Sequence, residues 1–224
     1  MPETMSVSEA VARRFSARAF KADPVPGETV REILKAAARA PSGGNLQPWK
    51  AHAISGDVLA DFKARVAARL GSPDEAQYAV YPANLWEPFR TRRFQVGEDL
   101  YGALAIPRDD KIGRLRQFAR NAEFFGAPVG LFFSIDRNLG PPQWSDLGMY
   151  MQTVMLLATE AGLATCAQEF WSAYGALSAE FLGLPDDHMV FSGMALGVAD
   201  ETATVNQWRS RRDDFEAWGE LRGF

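Results

Sequence analysis

The chain has 224 residues, an apolar fraction of 47% and a formal charge of −4, the profile of one globule with its own core. The mild acidity argues against a nucleic-acid surface, and the single Cys166 excludes an intrachain disulfide. With only His52 and His188 beside it, a His/Cys metal centre lacks ligands, so no metal is expected.

Residues 1–12 lack the basic-then-apolar order of a secretory signal, and the longest apolar run, within 147–158, is interrupted by Gln152 and Thr153. A cytoplasmic protein without a membrane span is expected, and no linker or composition break divides it, so 1–224 reads as one domain. Residues 6–14 predict a short helix capped by Ser6 or Ser8. It runs into Arg13-Arg14-Phe15-Ser16-Ala17-Arg18-Ala19-Phe20. Guanidiniums and a hydroxyl at this spacing suit a phosphate, and they also suit an exposed basic turn.

Residues 28–40 carry Val30, Ile33, Leu34 and Ala37 at helical spacing and lead into Ala40-Pro41-Ser42-Gly43-Gly44-Asn45-Leu46-Gln47-Pro48-Trp49. Two glycines let a flat ligand lie on the backbone, and Asn45 and Gln47 offer mixed donors and acceptors; an ordinary surface turn has the same composition. A strand over 50–55 and a helix over 57–70 follow. Residues 71–97 read as an irregular, aromatic-rich arm with Tyr78, Tyr81, Trp86, Phe89 and Phe94. A third helix is expected over 109–125 with Ile112, Leu115, Phe118, Ala119 and Ala122 inward. The apolar run 129–135 predicts a buried central strand, and Gly140-Pro141-Pro142 a turn.

Residues 145–161 predict the longest helix, apolar around most of its circumference and ended by Gly162. Residues 163–169 read as a short strand or turn, 172–182 as a helix, and 189–198 as a strand with Gly193 and Gly197 as points of close approach. The tail carries a second basic cluster, Asn206-Gln207-Trp208-Arg209-Ser210-Arg211-Arg212. Neither histidine has a matched nucleophile, and no Gly-x-Gly-x-x-Gly or Walker loop occurs, so any catalysis points to an organic cofactor.

Arg14-Phe15-Ser16-Ala17-Arg18-Ala19-Phe20 and Ala40-Pro41-Ser42-Gly43-Gly44-Asn45-Leu46-Gln47-Pro48-Trp49, in this order, resemble the opening of the FMN-dependent nitroreductase family. The likeness continues through residues 121–128, Asp146-Leu147-Gly148 with Gln152, Gly162-Leu163-Ala164-Thr165-Cys166, residues 193–197 and the Asn-then-Arg tail. It is most similar to the oxygen-insensitive branch acting on nitroaromatics such as nitrobenzoates. The resemblance implies an α+β, three-layer fold, a mostly antiparallel central sheet flanked by helices, and an intertwined homodimer with FMN at the interface. By the same resemblance Arg14, Ser16 and Arg18, with the Phe15 backbone, hold the FMN phosphate and ribityl chain, joined by Arg212 and then Arg209. Pro41, Ser42, Gly43 and Asn45 line the flavin from the other subunit, and Gln168 and Glu169 lie near N5. Trp86, Phe124 and Trp171 are candidates for the wall against a small aromatic acceptor. Two positions depart from the family pattern: Phe15, where a polar residue is common, and Ala167, where proline is usual. The implied reaction is ping-pong hydride transfer from NAD(P)H through FMN to a nitroaromatic or quinone-like acceptor. Reductive dehalogenation and flavin fragmentation share the fold, and a non-catalytic flavin sensor is the reading from another class.

Overall fold

The structure, a computed structural model, describes residues 5–224; the first four residues of the stretch weighed for a secretory signal lie outside it. Its helices are α1 (Val7–Arg13), α2 (Gly27–Ala37), α3 (Gly56–Ala68), α4 (Phe89–Ala103), α5 (Lys111–Ala119), α6 (Pro141–Glu160), α7 (Gly175–Leu182) and α8 (Thr204–Gln207). The strands are β1 (Lys50–Ser55), β2 (Val129–Asp136), β3 (Ala164–Gln168) and β4 (His188–Gly197). They form one sheet in the order β1-β2-β4-β3, every pair antiparallel.

The central strand β2 explains the layers. Side chains alternate across a strand. Val129, Leu131, Phe133 and Ile135 therefore pack on α2 and α6, with Val30, Ile33, Leu147, Tyr150 and Val154. Phe132 points the other way, into Leu59, Phe62 and Val66 of α3, Phe124 and Trp171. With both faces covered, no polar alternation survives in the sequence of β2, which is why 129–135 reads as an apolar run with Ser134 as its one polar residue. The expected three-layer α+β architecture with an antiparallel sheet is what forms.

Three glycines behave as their positions predict. Gly162, at φ 75°, reverses the chain after α6. A Cβ on Gly193 would sit 2.1 Å from Trp171, and one on Gly197 2.6 Å from Pro128, so both are close approaches of backbone to a ring.

Several sequence expectations are corrected. The arm over 71–97 is irregular only in its first part, because α4 begins at Phe89. Hydrophobic periodicity reports burial, and α4 buries no residue within the chain, so it leaves no such pattern. The helix expected over 109–125 stops at Ala119; a 3-10 stretch, Arg120–Gly126, follows, with Phe124 and Phe125 at positive φ. Ile112, Leu115 and Phe118 do not point inward but are exposed on this chain. Pro141 and Pro142 are not a turn; they open α6, where a missing N–H costs no helical bond. The helix expected over 172–182 is divided into a 3-10 turn, Glu169–Tyr174, and α7. No helix among the described residues is long and apolar enough to cross a membrane.

Candidate functional site

The first group of expected residues is built on the edge of the sheet. Ser16 makes a parallel bridge with Thr165 of β3, and Ala17 N donates to Thr165 O at 2.9 Å. Farther on, Lys21 N donates to Val198 O at 2.9 Å and Asp200 N to Ala19 O at 3.0 Å. This extended stretch turns Ala17 into the core and leaves Arg14, Phe15, Ser16 and Arg18 half-buried. The Arg18 Nη1 donates to Ser16 O at 3.1 Å.

Asn206, buried in α8, ties this stretch to the tail. Its Oδ1 accepts from Arg18 N at 2.8 Å, and its Nδ2 donates to Ala19 O at 2.7 Å and Asp200 O at 2.8 Å. The tail then carries Arg209 over the Phe15 ring, 3.8 Å from its centroid. Arg212 is exposed and, among the described residues, donates only to its own neighbours, Ser210 and Arg211. Arg209, expected second to Arg212, is thus the tail arginine that the chain brings to Phe15.

Among the described residues no carboxylate forms an ion pair with Arg14, Arg18 or Arg209. The Thr165 hydroxyl, beside Ser16, is buried with no hydrogen-bond partner among the described residues. Burial pushes the Cys166 thiol above its ordinary pKa, and the charges of Arg18 and Arg14 oppose that shift. Cys166 itself is enclosed and unreactive.

The second group is the glycine loop. It is held from beneath by Asp146, a buried carboxylate of α6 that accepts from Gly43 N at 3.2 Å. Ser42 Oγ accepts from Gln47 N at 3.0 Å, closing the turn. Trp49, at the end of the loop, stacks on Tyr150 of α6 with centroids 4.9 Å apart. Pro41, Gly43 and Asn45 are exposed and Ser42 is half-buried, so the upper face of the loop is open. A Cβ on Gly43 would meet only Asp146, at 3.9 Å.

The third group follows β3. Gln168 is buried, and its Nε2 donates to Asn121 O at 2.8 Å and Oδ1 at 3.1 Å. Its Oε1 accepts from Trp171 Nε1 at 3.3 Å, which leaves the Gln168 side chain committed inside the protein. Glu169 reaches solvent, yet packing around its carboxyl raises its pKa above the ordinary value. Phe124 and Trp171 are a correction. Both are 0% exposed and stack on each other at 4.7 Å, so they are core and form no open wall. Trp86 is exposed and packs edge-on against Phe89.

Sequence reasoning passed over Asp146 as a loop anchor and Asn206 as a clamp. The signal for each was a polar residue set in an apolar or basic segment where a solvated role was unneeded. Two surface grooves, one between α2 and α6 and one beside β1, include none of the expected residues.

The family model described as "Nitroreductase family" matches residues 11–198. The chain belongs to this family. Among curated relatives of this nitroreductase, 4-nitrobenzoate reductase of Pseudomonas putida is 38% identical, with 96% of this chain and 94% of the relative covered. Nitrobenzene nitroreductase of Ectopseudomonas oleovorans is 39% identical, with 96% of each covered. Among solved structures, the FMN and NADPH-dependent nitroreductase NfnB of Sphigopyxis sp. strain HMH aligns with a TM-score of 0.95 at 49% identity, over 98% of this chain and 100% of the other. The FMN-dependent NfnB of Mycobacterium smegmatis, solved in complex with NADPH, aligns at 0.90 and 30%, over 97% and 100%. The family and the fold read from the motifs are therefore those of the protein.

Proposed function

We propose that this nitroreductase is an FMN-dependent NADPH oxidoreductase that reduces nitroaromatic acceptors, working as a single domain in a homodimer. The observation that carries the reading is the grouping of Arg14, Ser16 and Arg18 on the stretch that bridges to β3, with Arg209 over the Phe15 ring within it and no carboxylate paired to these arginines among the described residues. The half-buried guanidiniums of Arg14 and Arg18 and the exposed one of Arg209, without a counter-ion among the described residues, fit a phosphate group, and the Thr165 hydroxyl, unpartnered among the described residues, adds a polar group beside Ser16. The relatives named above, reductases of nitrobenzoate and nitrobenzene, supply the acceptor class.

Bound FMN would supply two-electron transfer between NADPH and the acceptor. The residues of this chain do the rest. Arg14, Ser16, Arg18 and a tail arginine would hold the FMN phosphate. The loop of Pro41, Ser42, Gly43 and Asn45, anchored by Asp146, offers exposed backbone and an amide edge to a flat ring. In this reading the loop completes the site of a second copy. The Gln168 side chain is occupied by Asn121 and Trp171, so its part toward the ring falls to the backbone. These groups orient rings and exclude water; protons come from solvent.

The test is the visible spectrum of the freshly purified protein. Yellow protein that bleaches with NADPH and recovers with 4-nitrobenzoate is the expected result. Yellow protein that no reductant and acceptor cycle points to the sensor alternative. Colourless protein that cannot be reconstituted with FMN overturns the proposal. Arg18→Ala should lower flavin retention by about tenfold or more, the scale of a lost charge-assisted hydrogen bond.

A further inference from the structure

Phe15 interrupts a basic segment with an apolar ring, and the Arg209 guanidinium lies over that ring at 3.8 Å. The same guanidinium is held from one edge. Its Nη1 donates to Asn206 O at 2.5 Å and to Trp208 O at 2.9 Å. A guanidinium has five N–H groups, and two carbonyls use the Nη1 pair. No hydrogen bond among the described residues engages Nε or Nη2. Arg209 is thus clamped by face and by one edge, with its other edge presented and, among the described residues, no carboxylate against it.

Asn206 links this arrangement to the other arginine. Its backbone oxygen restrains Arg209 while its side chain holds Arg18 N and Ala19 O. One buried residue, 3% exposed, thus joins the orientation of Arg209 to the backbone at Arg18 and Ala19.

We infer that Phe15 is a positioning residue: its ring is the shelf that presents the free edge of Arg209 to the terminal phosphate of the flavin, so that the chain discriminates FMN from riboflavin. This rests on the FMN reading above. A ring at this position contributes no hydrogen bond of its own. It acts by holding a flexible arginine in one plane, which reduces the entropy lost when the guanidinium binds an anion.

The experiment measures binding of FMN and of riboflavin to the full-length protein stripped of flavin, followed by flavin fluorescence. Wild type should bind FMN more tightly than riboflavin. Phe15→Leu should reduce that preference about threefold, the worth of an exposed cation–π contact, with riboflavin affinity unchanged. Phe15→Tyr should restore it. In an Arg209→Ala background Phe15→Leu should change nothing further, because the shelf then holds nothing. Because each variant is read as a ratio of two flavins, a general loss of fold lowers both affinities and leaves the preference in place; Phe15→Met replaces Phe15→Leu if the latter does not fold. An unchanged preference in Phe15→Leu overturns the inference, as does an equal loss with and without Arg209. Wild-type protein that binds neither flavin overturns the FMN reading itself, and this inference with it.

Discussion

The indole of Trp171 lies against the bare backbone of Gly193, with Cδ1 only 2.1 Å from where a Cβ on that glycine would stand. Around them Phe62, Phe124 and Phe132 complete an aromatic cluster beneath the sheet. A methyl group at 193 must push the ring out of a packed core. Gly193→Ala should cost about 1–3 kcal/mol by overpacking, and Trp171→Ala about 3–5 kcal/mol by leaving a cavity. Urea unfolding of both variants checks this. A Trp171 that formed an acceptor wall would instead change KM with little loss of stability.

The glycine loop depends on a carboxylate from another layer. Asp146 is 5% exposed, and its Oδ2 accepts from Gly43 N at 3.2 Å. Asp146→Ala should cost about 1–2 kcal/mol, for a hydrogen bond to a charged group partly replaced by water. It should also speed flavin loss during gel filtration, because the loop is released. Asp146→Asn keeps an acceptor and should fall between wild type and alanine on both measures. Equal flavin retention in all three proteins would mean the loop does not need this anchor.

His52 on β1 gives the chain a pH dependence of defined sign. Its Nε2 is buried without a partner among the described residues, and burial, then the neighbouring His188 and Lys50, depress its pKa below the usual 6.5. The unfolded chain binds a proton at His52 at a higher pH than the folded chain does. The stabilising difference is therefore present above about pH 6.5 and is lost as pH falls from there through the folded value. Wild type should lose more stability than His52→Gln on going from pH 7.5 to pH 5.5, with the gap between them constant above pH 7. Thermal midpoints in matched buffers test this; parallel curves throughout would remove His52 as the cause.

How far the sequence reaches can be seen at particular residues. β2 was legible because burial on both faces makes an apolar run, and Gly193 was legible because a strand glycine marks a close approach. α4 was not, because a helix that buries nothing within its own chain has no periodic apolar stripe. Ile112, Leu115 and Phe118 carried the right period, yet the face they form is exposed on this chain, since periodicity gives a face and not what covers it. At the candidate site the motif residues could be named, but the Arg209–Phe15 contact joins positions far apart in sequence, and only the path of the tail brings them together. Trp171 and Phe124 are only candidates for a wall at the level of sequence, because composition does not distinguish a buried aromatic from an exposed one.

The tail makes the last prediction. It crosses α4 through an ion pair of Arg92 with Asp213 and another of Arg211 with Asp99 at 3.5 Å. Beyond these, Trp218 is 69% and Leu221 68% exposed, and Phe215 and Phe224 are also open to solvent. So much large apolar surface in one short segment marks a contact waiting for a surface, and in the homodimer proposed above the partner copy provides it. A chain ending at Asp214 keeps Arg209, Arg212 and both ion pairs but loses the four apolar side chains. By sedimentation the full-length protein should run as a dimer at low micromolar concentration. The shortened chain should shift toward monomer and lose flavin faster, since its site then lacks the partner's loop. A shortened chain that stays dimeric on dilution would show that the tail does not close the interface, and full-length protein that sediments as a monomer would overturn the dimer itself.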